Sequence, residues 1–166
     1  SSDVCKGYFG TKRFDRVMTF SGEKHIHMLT AAALLELDFE QPSLDYHSLM
    51  KLTKILTRDN PQDLENMYRR MCFNVFAHNQ DDHSKNFTYL YDDTTDSWRL
   101  SPAYDLTYSN IYYGEHTTTV DGNGRNPGLK ELVAVGTAAG LKADLCKTIA
   151  SEIDICVKEM LGAYVL

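Results

Sequence analysis

The chain carries Asn79-Gln80-Asp81-Asp82-His83-Ser84-Lys85-Asn86-Phe87, nine residues that include two acids, a histidine, a lysine and two asparagines. A strongly periodic segment precedes this stretch, and an alternating pattern typical of a hairpin follows it. A loop that merely reverses the chain is usually rich in glycine or proline. This concentration of polar side chains between two apolar elements therefore indicates a functional loop.

A helix over residues 61–78 is predicted to lead into this loop. Asn60 is a typical N-cap, Pro61 suits the first helical position, and Asp63 places an acid in the first turn. Apolar residues then recur at steps of three and four. They are Leu64, Met67, Tyr68, Met71, Cys72, Val75 and Phe76.

A hairpin is predicted after the loop, with strands at 87–91 and 98–100 around the polar turn 92–97. Residues 101–106, Ser-Pro-Ala-Tyr-Asp-Leu, leave this hairpin, and residues 107–120 are expected to be extended. The glycine-rich segment 121–128 is typical of a turn. Its Gly122-x-Gly124 lacks the lysine and hydroxyl residue of a phosphate-binding loop.

The remaining patterns predict one α+β domain that is mostly helical around the hairpin. A strand is expected at 7–14, at a sheet edge, ended by the segment 13–16, in which three of four residues are charged. Further helices are expected over 24–37, 46–57, 129–139 and 142–164, with Gly140 as a C-cap between the last two. The length of 166 residues is that of a single domain.

Composition restricts the class of partner. The chain is 43% hydrophobic and 24% charged, as in ordinary globular proteins, and its net charge of −6 provides no basic footprint for nucleic acid. No apolar run reaches the roughly 18 residues that a membrane span needs. Three of the four cysteines, Cys72, Cys146 and Cys156, lie in apolar helical patterns and are expected to be reduced and buried. We expect a cytoplasmic protein.

The polar loop has the spacing of a phosphoryl-transfer site. Protein kinases use an Asp to orient and deprotonate the accepting hydroxyl, an Asn five positions later, and a second Asp as metal ligands. Asp81 and Asn86 have this spacing, and Asp105 follows the hairpin. Lys85 could neutralise charge on the transferred group. Oxygen ligands of this kind suit Mg²⁺.

Other interpretations of the same residues stay open at this point. Asp82 is as good a base as Asp81 by chemistry alone, and only the spacing selects Asp81. His83 could bond the loop backbone instead of a nucleotide, and Asp105 could cap a turn. A zinc site is a further alternative. It would use His78, Asp81, Asp82 and His83.

Three motifs in order resemble the C-terminal region of HipA-like serine/threonine kinases, the toxins of bacterial toxin–antitoxin pairs. They are Lys12-Arg13-Phe14-Asp15-Arg16, residues 81–87 and residues 100–106. Gly124-Arg125-Asn126-Pro127 and the helices after it are similar to the family's C-terminal helical portion. The likeness covers residues 8–160 or so and implies the large lobe of a protein-kinase-like fold.

The resemblance also implies roles for individual residues. Asp81 is similar to the catalytic Asp, and Asn86 and Asp105 to the Mg²⁺ ligands. The implied ATP contacts are Lys12, Arg13, Phe14, His83, Ser84, Lys85, Asn86, Tyr104 and Asp105, the first three within a hinge at about residues 7–16. Two positions depart from the family pattern: Lys12 stands where an acid is common, and Asp82 where a small residue is common.

The resemblance further implies an antitoxin partner and a protein substrate phosphorylated on serine or threonine. The family's small lobe, with its phosphate-covering loop and lysine, would lie before residue 1, so the chain alone is expected to be inactive. Two alternatives remain. One is a kinase-like binding or regulatory module, or half of a split kinase; the other is a small-molecule phosphotransferase.

Overall fold

A computed structural model describes residues 10–37, 44–109 and 114–165, and in these ranges the chain is a mixed α/β fold with two small sheets. The strands are β1 (Arg16–Thr19), β2 (Gly22–His25), β3 (Met28–Thr30), β4 (Thr88–Asp92) and β5 (Ser97–Leu100). The helices are α1 (Ala31–Leu34), α2 (Tyr46–Leu56), α3 (Pro61–Phe76), α4 (Leu129–Ala138) and α5 (Ala143–Val165).

The larger sheet is antiparallel with the order β3-β4-β5, and β1 and β2 form a separate two-stranded ribbon. Tyr89 is central, because it pairs with Leu29 on one side and with Leu100 on the other. Its ring is buried against the helices, and its hydroxyl lies 2.8 Å from the hydroxyl of Thr53 on α2. The sheet is thereby fixed to α2.

The helices α2 to α5 enclose the core. Helix α3 contributes to this core the apolar residues that recur at steps of three and four, as predicted from the sequence. Met67, Tyr68 and Met71 are among them and are fully buried. Its start is also as predicted: the Asn60 side chain accepts hydrogen bonds from the backbone amides of Gln62 and Asp63, each at 3.1 Å. Such a cap stabilises a helix by about 1 kcal/mol.

The predicted helix over 24–37 is wrong. Gly22–His25 forms β2 and Met28–Thr30 forms β3 instead, and within this range only Ala31–Leu34 is helical, after Thr30 as N-cap. The pairing of β3 with β4, in which Met28 pairs with Leu90, 62 residues further along the chain, overrides the local preference for a helix. The Ser21-Gly22 turn, with φ of +118° at Gly22, was the overlooked signal.

The predicted strand at 7–14 is misplaced. Residues 10–15 are not in a strand, and β1 begins at Arg16, where the predicted strand was expected to end. Residues 7–9 lie outside the described residues. Since β1 pairs with β2 in a hairpin, its position is determined by the turn that follows it.

The other predicted elements agree with the structure except in detail. Helices α2, α3, α4 and α5 and the β4–β5 hairpin are confirmed, whereas the hairpin gains β3 as a third strand. Helix α4 ends with Ala139 as C-cap, and Gly140 follows with φ of +104°. Residues 107–109 and 114–120 form isolated bridges but no strand, and residues 110–113 lie outside the described residues.

The cysteines differ in their exposure to solvent. Cys72 and Cys146 are buried as predicted, but Cys156 is exposed, and it lines an open groove beside α3. Among the described helices, none combines the length and the apolar character that crossing a membrane requires.

Gly136 allows α4 to approach its neighbours closely. A Cβ atom added there would lie 2.5 Å from Cys146 Sγ and 2.6 Å from Tyr68 Cε2. Overpacking of this kind costs about 1–3 kcal/mol, more than the roughly 1 kcal/mol that alanine gains over glycine in a helix. We expect Gly136→Ala to lower the free energy of unfolding, measured by urea denaturation.

Gly124→Ala is the control, since its Cβ would meet its nearest neighbours at an ordinary 3.5 Å. If Gly136→Ala were as stable as the wild type, the close packing of α4 on α3 and α5 would be contradicted.

Candidate active site

The polar loop joins α3 to β4 and is held by two distant segments of the chain. Gln80 N donates to Ser109 O at 3.3 Å, and Thr117 N donates to Gln80 O at 3.0 Å. At the far end, Ala31 N donates to Phe87 O at 2.7 Å, which ties the loop to α1. The loop is therefore fixed to the folded domain at both ends.

Asp82 is the buried anchor of this loop, with no exposed surface. Its carboxylate accepts hydrogen bonds from Tyr46 Oη at 2.9 Å and from Thr118 N at 3.0 Å, and lies 3.3 Å from His116 Nδ1. Thr118 Oγ1 also donates to the Asp82 carbonyl. Burial, reinforced by the adjacent carboxylate, raises the pKa of Tyr46 well above its ordinary value. Asp82 is thus fully engaged inside the protein.

Asp81 has the opposite environment, although it is the adjacent residue. Its backbone is fixed, because its N–H donates to Ser109 Oγ at 3.0 Å and its carbonyl accepts from Asn86 Nδ2 at 2.8 Å. Its side chain is 40% exposed and faces His83, whose Nε2 lies 4.0 Å from Asp81 Oδ1. Of the two acids, only Asp81 presents a carboxylate to an incoming molecule.

The hydrogen bond from Asn86 to Asp81 accounts for the spacing of five residues. A 3₁₀ turn over Ser84–Asn86 brings the Asn86 amide back to the Asp81 carbonyl. Ser84 and Asn86 are buried, and Lys85 between them is exposed. Because the amide nitrogen of Asn86 is used in this bond, its oxygen is the end available to a cation.

Tyr104 joins the second motif to the loop. Its hydroxyl donates to the Lys85 carbonyl at 2.5 Å and contacts Thr88 Oγ1, and its ring lies 5.6 Å from that of Phe14. Burial raises the pKa of its hydroxyl. Tyr104, which precedes Asp105, therefore contacts Lys85, which precedes Asn86. The ring of Phe14 lies beside that of Tyr104.

Asp105 is exposed and has a φ of +54°. Asp and Asn are the non-glycine residues that best tolerate this left-handed conformation. Backbone in sparsely populated regions is concentrated at functional sites. Donor chemistry also fits a hard cation here, since Asp105 supplies a carboxylate and Asn86 an amide oxygen.

Lys12 and Arg13 lie apart from the loop residues just described. They line a cavity of about 500 Å³ whose other walls are Arg16, Val17, Met18 and Glu23. Arg13 binds the Asp15 carboxylate at 2.9 and 2.7 Å, which lowers the pKa of Asp15 to about 2. Of the three predicted hinge residues, Phe14 is the one that reaches the site in the described part of the chain, through Tyr104.

The residues that the sequence did not reveal are those that hold the loop. Tyr46, Ser109, His116 and Thr118 all bond to it, at separations of 28 to 36 residues. His116, isolated among threonines, was the only visible signal. No group of three or more His, Cys, Asp or Glu side chains converges in the described ranges, so the zinc alternative has no support there.

Comparison with known proteins identifies the family. Residues 2–160 match the family described as the HipA-like C-terminal domain. The chain belongs to this family. The match covers nearly the whole chain and confirms the resemblance that the three motifs indicated.

The HipA-like domain also has the fold of a solved HipA structure. That protein is described in the complex "Shewanella oneidensis MR-1 Toxin Antitoxin System HipA, HipB and its operator DNA complex", with a TM-score of 0.74 and 17% identity. The alignment covers 92% of this chain and 40% of that one, so the chain spans less than half of that protein's length. No curated protein matches the sequence.

Buried Asp82 and exposed Asp81 should differ in what they contribute to the HipA-like domain's stability. Each buried donor that loses its acceptor costs about 1–3 kcal/mol, so we expect Asp82→Ala to destabilise by about 2–5 kcal/mol. Asp81→Ala, which leaves the backbone bonds intact, should change the free energy of unfolding by less than about 0.5 kcal/mol. Urea denaturation of both variants measures the difference, and equal losses would contradict it.

Proposed function

We propose that this HipA-like domain is the large lobe of an ATP- and Mg²⁺-dependent serine/threonine protein kinase. One observation carries the proposal: Asp81 is open to solvent on a loop that Asn86 closes and that Tyr104 holds against the Asp105 segment. A purely structural loop would not need an exposed carboxylate together with two further oxygen ligands, the Asn86 amide and the Asp105 carboxylate. Family membership supports the same function.

Asp81 is proposed as the catalytic residue. Its carboxylate would accept a hydrogen bond from the hydroxyl of a serine or threonine and take its proton as the phosphoryl group is transferred. Its backbone is fixed through both N–H and C=O, so the carboxylate needs little reorganisation. We do not propose Asp82 for this role, because Tyr46 and Thr118 already bind its two oxygens.

Asn86 and Asp105 are proposed to hold the metal through the amide oxygen and the carboxylate. Bound Mg²⁺ would neutralise charge on the phosphates of ATP. The bond from Asn86 Nδ2 to the Asp81 carbonyl orients the amide, and the Tyr104 hydroxyl holds Asp105 next to the loop. The base and both ligands are thus linked through a few hydrogen bonds.

The proposed ATP contacts surround these groups. Lys85 is exposed on the loop, Ser84 is beside it, and His83 has a buried Nδ1 without an acceptor or donor among the described residues. The rings of Phe14 and Tyr104 offer an apolar surface for the adenine. Lys12 and Arg13 would contribute through the backbone of the hinge.

The rest of the kinase is proposed to come from polypeptide beyond this domain, in cis or in trans. The solved HipA chain is longer than the matched part. The phosphate-covering loop and its lysine are proposed to lie in such additional polypeptide. The domain alone would then be nearly inactive. An antitoxin partner, a protein substrate and a cytoplasmic location belong to the same proposal, without direct contact to nucleic acid.

Asp81→Asn should abolish phosphotransfer while nucleotide binding is retained. Loss of a general base costs about a hundredfold to ten-thousandfold in rate. The assay combines this domain with the rest of the HipA fold, Mg²⁺-ATP, and protein or small-molecule acceptors. Asp59→Asn, an exposed acid outside the loop, is the control.

An active Asp81→Asn variant would contradict the assignment of the base. If the wild type itself transferred no phosphoryl group to any acceptor, a kinase-like binding module would be the better account.

Asp105→Asn should weaken Mg²⁺-dependent nucleotide binding more than metal-free binding. Asparagine tolerates the φ of +54°, so the charge is removed without added backbone strain. We expect a loss of at least about tenfold in affinity with Mg²⁺, because even indirect partners of a metal contribute 10–100-fold. Calorimetric titration with and without Mg²⁺ measures this, and equal losses in both conditions would exclude Asp105 as a ligand.

A further inference from the structure

Arg70 is a buried cation that connects α3 to the segment carrying Asp105. Only 7% of its surface is exposed, and its Nη2 donates to the Ser101 carbonyl at 2.7 Å. Its Nε and Nη1 are buried and have no acceptor among the described residues. Burial lowers the pKa of the guanidinium, because the charged form loses its hydration. Arg70 therefore binds Ser101 at an energetic cost that an apolar side chain of similar length would avoid.

The adjacent arginine on the same helix has ordinary surface partners. Arg69 is 39% exposed and binds the carboxylates of Glu65 at 3.0 Å and Glu152 at 3.3 Å. In the described part of the chain, these partners lie on α3 and α5. Arg69 is therefore a natural comparison for Arg70, since the two share a helix but only Arg70 binds the segment that follows β5.

Ser101 is the point at which the chain leaves the larger sheet. Its N–H donates to the carbonyl of Thr88 on β4 at 2.9 Å, and its own carbonyl accepts from Arg70. Three residues later, the Tyr104 hydroxyl donates to the Lys85 carbonyl at 2.5 Å. Segment 101–105 is thus fixed at its start by Arg70 and near its end by the Tyr104 side chain.

The charge of Arg70 also acts on groups of the polar loop. It interacts with the hydroxyls of Tyr46 and Tyr104. Tyr46 donates to the buried carboxylate of Asp82 at 2.9 Å and so interacts with two buried charges of opposite sign. Electrostatic interactions are strong in such an interior, where water does not screen them. One cation on α3 is therefore linked to the anchor of the loop and to the segment of Asp105.

We propose that Arg70 is a positioning residue for Asp105: it fixes the start of segment 101–105 against α3, so that the Asp105 carboxylate meets the same cation as Asn86. This inference rests on the proposed function, because it concerns a metal ligand assigned there. Helix α3 also leads into the polar loop that contains Asn86. Both proposed ligands are then connected to the same helix, Asn86 through the loop and Asp105 through the bond from Arg70 to Ser101.

Arg70→Met tests this role, because it keeps much of the side-chain volume but removes the donor and the charge. We expect Mg²⁺-dependent nucleotide binding to weaken about tenfold and metal-free binding much less, since partners that orient a metal ligand contribute about 10–100-fold. Arg70→Lys retains a charged donor but lacks the rigid guanidinium, and it should weaken Mg²⁺-dependent binding about threefold. Arg69→Met should leave binding unchanged. Calorimetric titration with and without Mg²⁺ measures all three variants.

Two further measurements separate positioning from a general loss of stability. In a double-mutant cycle, Arg70→Met should have almost no effect on Mg²⁺-dependent affinity once Asp105→Asn is present, because it acts through that ligand. Without nucleotide, ¹⁵N relaxation should show lower order parameters for Tyr104, Asp105 and Leu106 in Arg70→Met than in the wild type. The order parameters of the turn Ser84–Asn86 should stay the same.

Equal losses with and without Mg²⁺, additive effects in the cycle, or unchanged order parameters at residues 104–106 would overturn the proposal. If Arg70→Met does not fold, Arg70→Lys serves in the same comparisons, and binding equal to that of the wild type would overturn it. A Mg²⁺-specific loss in Asp105→Asn without one in the Arg70 variants would overturn this inference alone. No such loss in Asp105→Asn would overturn the metal assignment, and this inference with it.

Discussion

The buried carboxylate of Asp82 is the constraint on which the site depends. It draws Tyr46 of α2 and the backbone of Thr118 to one point, and His116 lies against it. Asn74 of α3 joins through the Tyr46 hydroxyl, to which its Nδ2 donates at 2.9 Å. A buried charge in this position is tolerated only while these partners are present, so loss of any one of them would strongly destabilise the folded domain. It therefore specifies one arrangement of the loop.

The position of Asp81 follows from this anchor. Since Asp82 is directed into the protein, its neighbour, fixed through both backbone groups, is left with a carboxylate that faces outward. Tyr104 provides the second link, because it connects the hinge at Phe14, the loop at Lys85 and the segment of Asp105. The proposed base is thus positioned in part by residues outside the proposed chemistry, namely Asp82 and Ser109.

Local signals in the sequence predicted part of this structure. The cap at Asn60, the period of α3 and the spacing from Asp81 to Asn86 are all short-range features, and the first two are confirmed while the third is closed by a hydrogen bond. The pairing of β3 with β4 and the partners of Asp82 are long-range features. The Ser21-Gly22 turn and His116 are the nearby signals, and neither of them specifies its distant partner. The helix over 24–37 was therefore wrong, and the role of Asp82 was left open.

Asn86 and Asp105 are proposed to hold one cation beside Asp81. Paramagnetic Mn²⁺, which binds similar oxygen ligands, can replace Mg²⁺ in a nucleotide complex added to the ¹⁵N-labelled domain. The amide signals of Asp81, Asn86 and Asp105 should then broaden most strongly and together, and less so in the Asp105→Asn variant. Strongest broadening at the acidic turn of the β4–β5 hairpin, or at only one of the two motifs, would contradict the account.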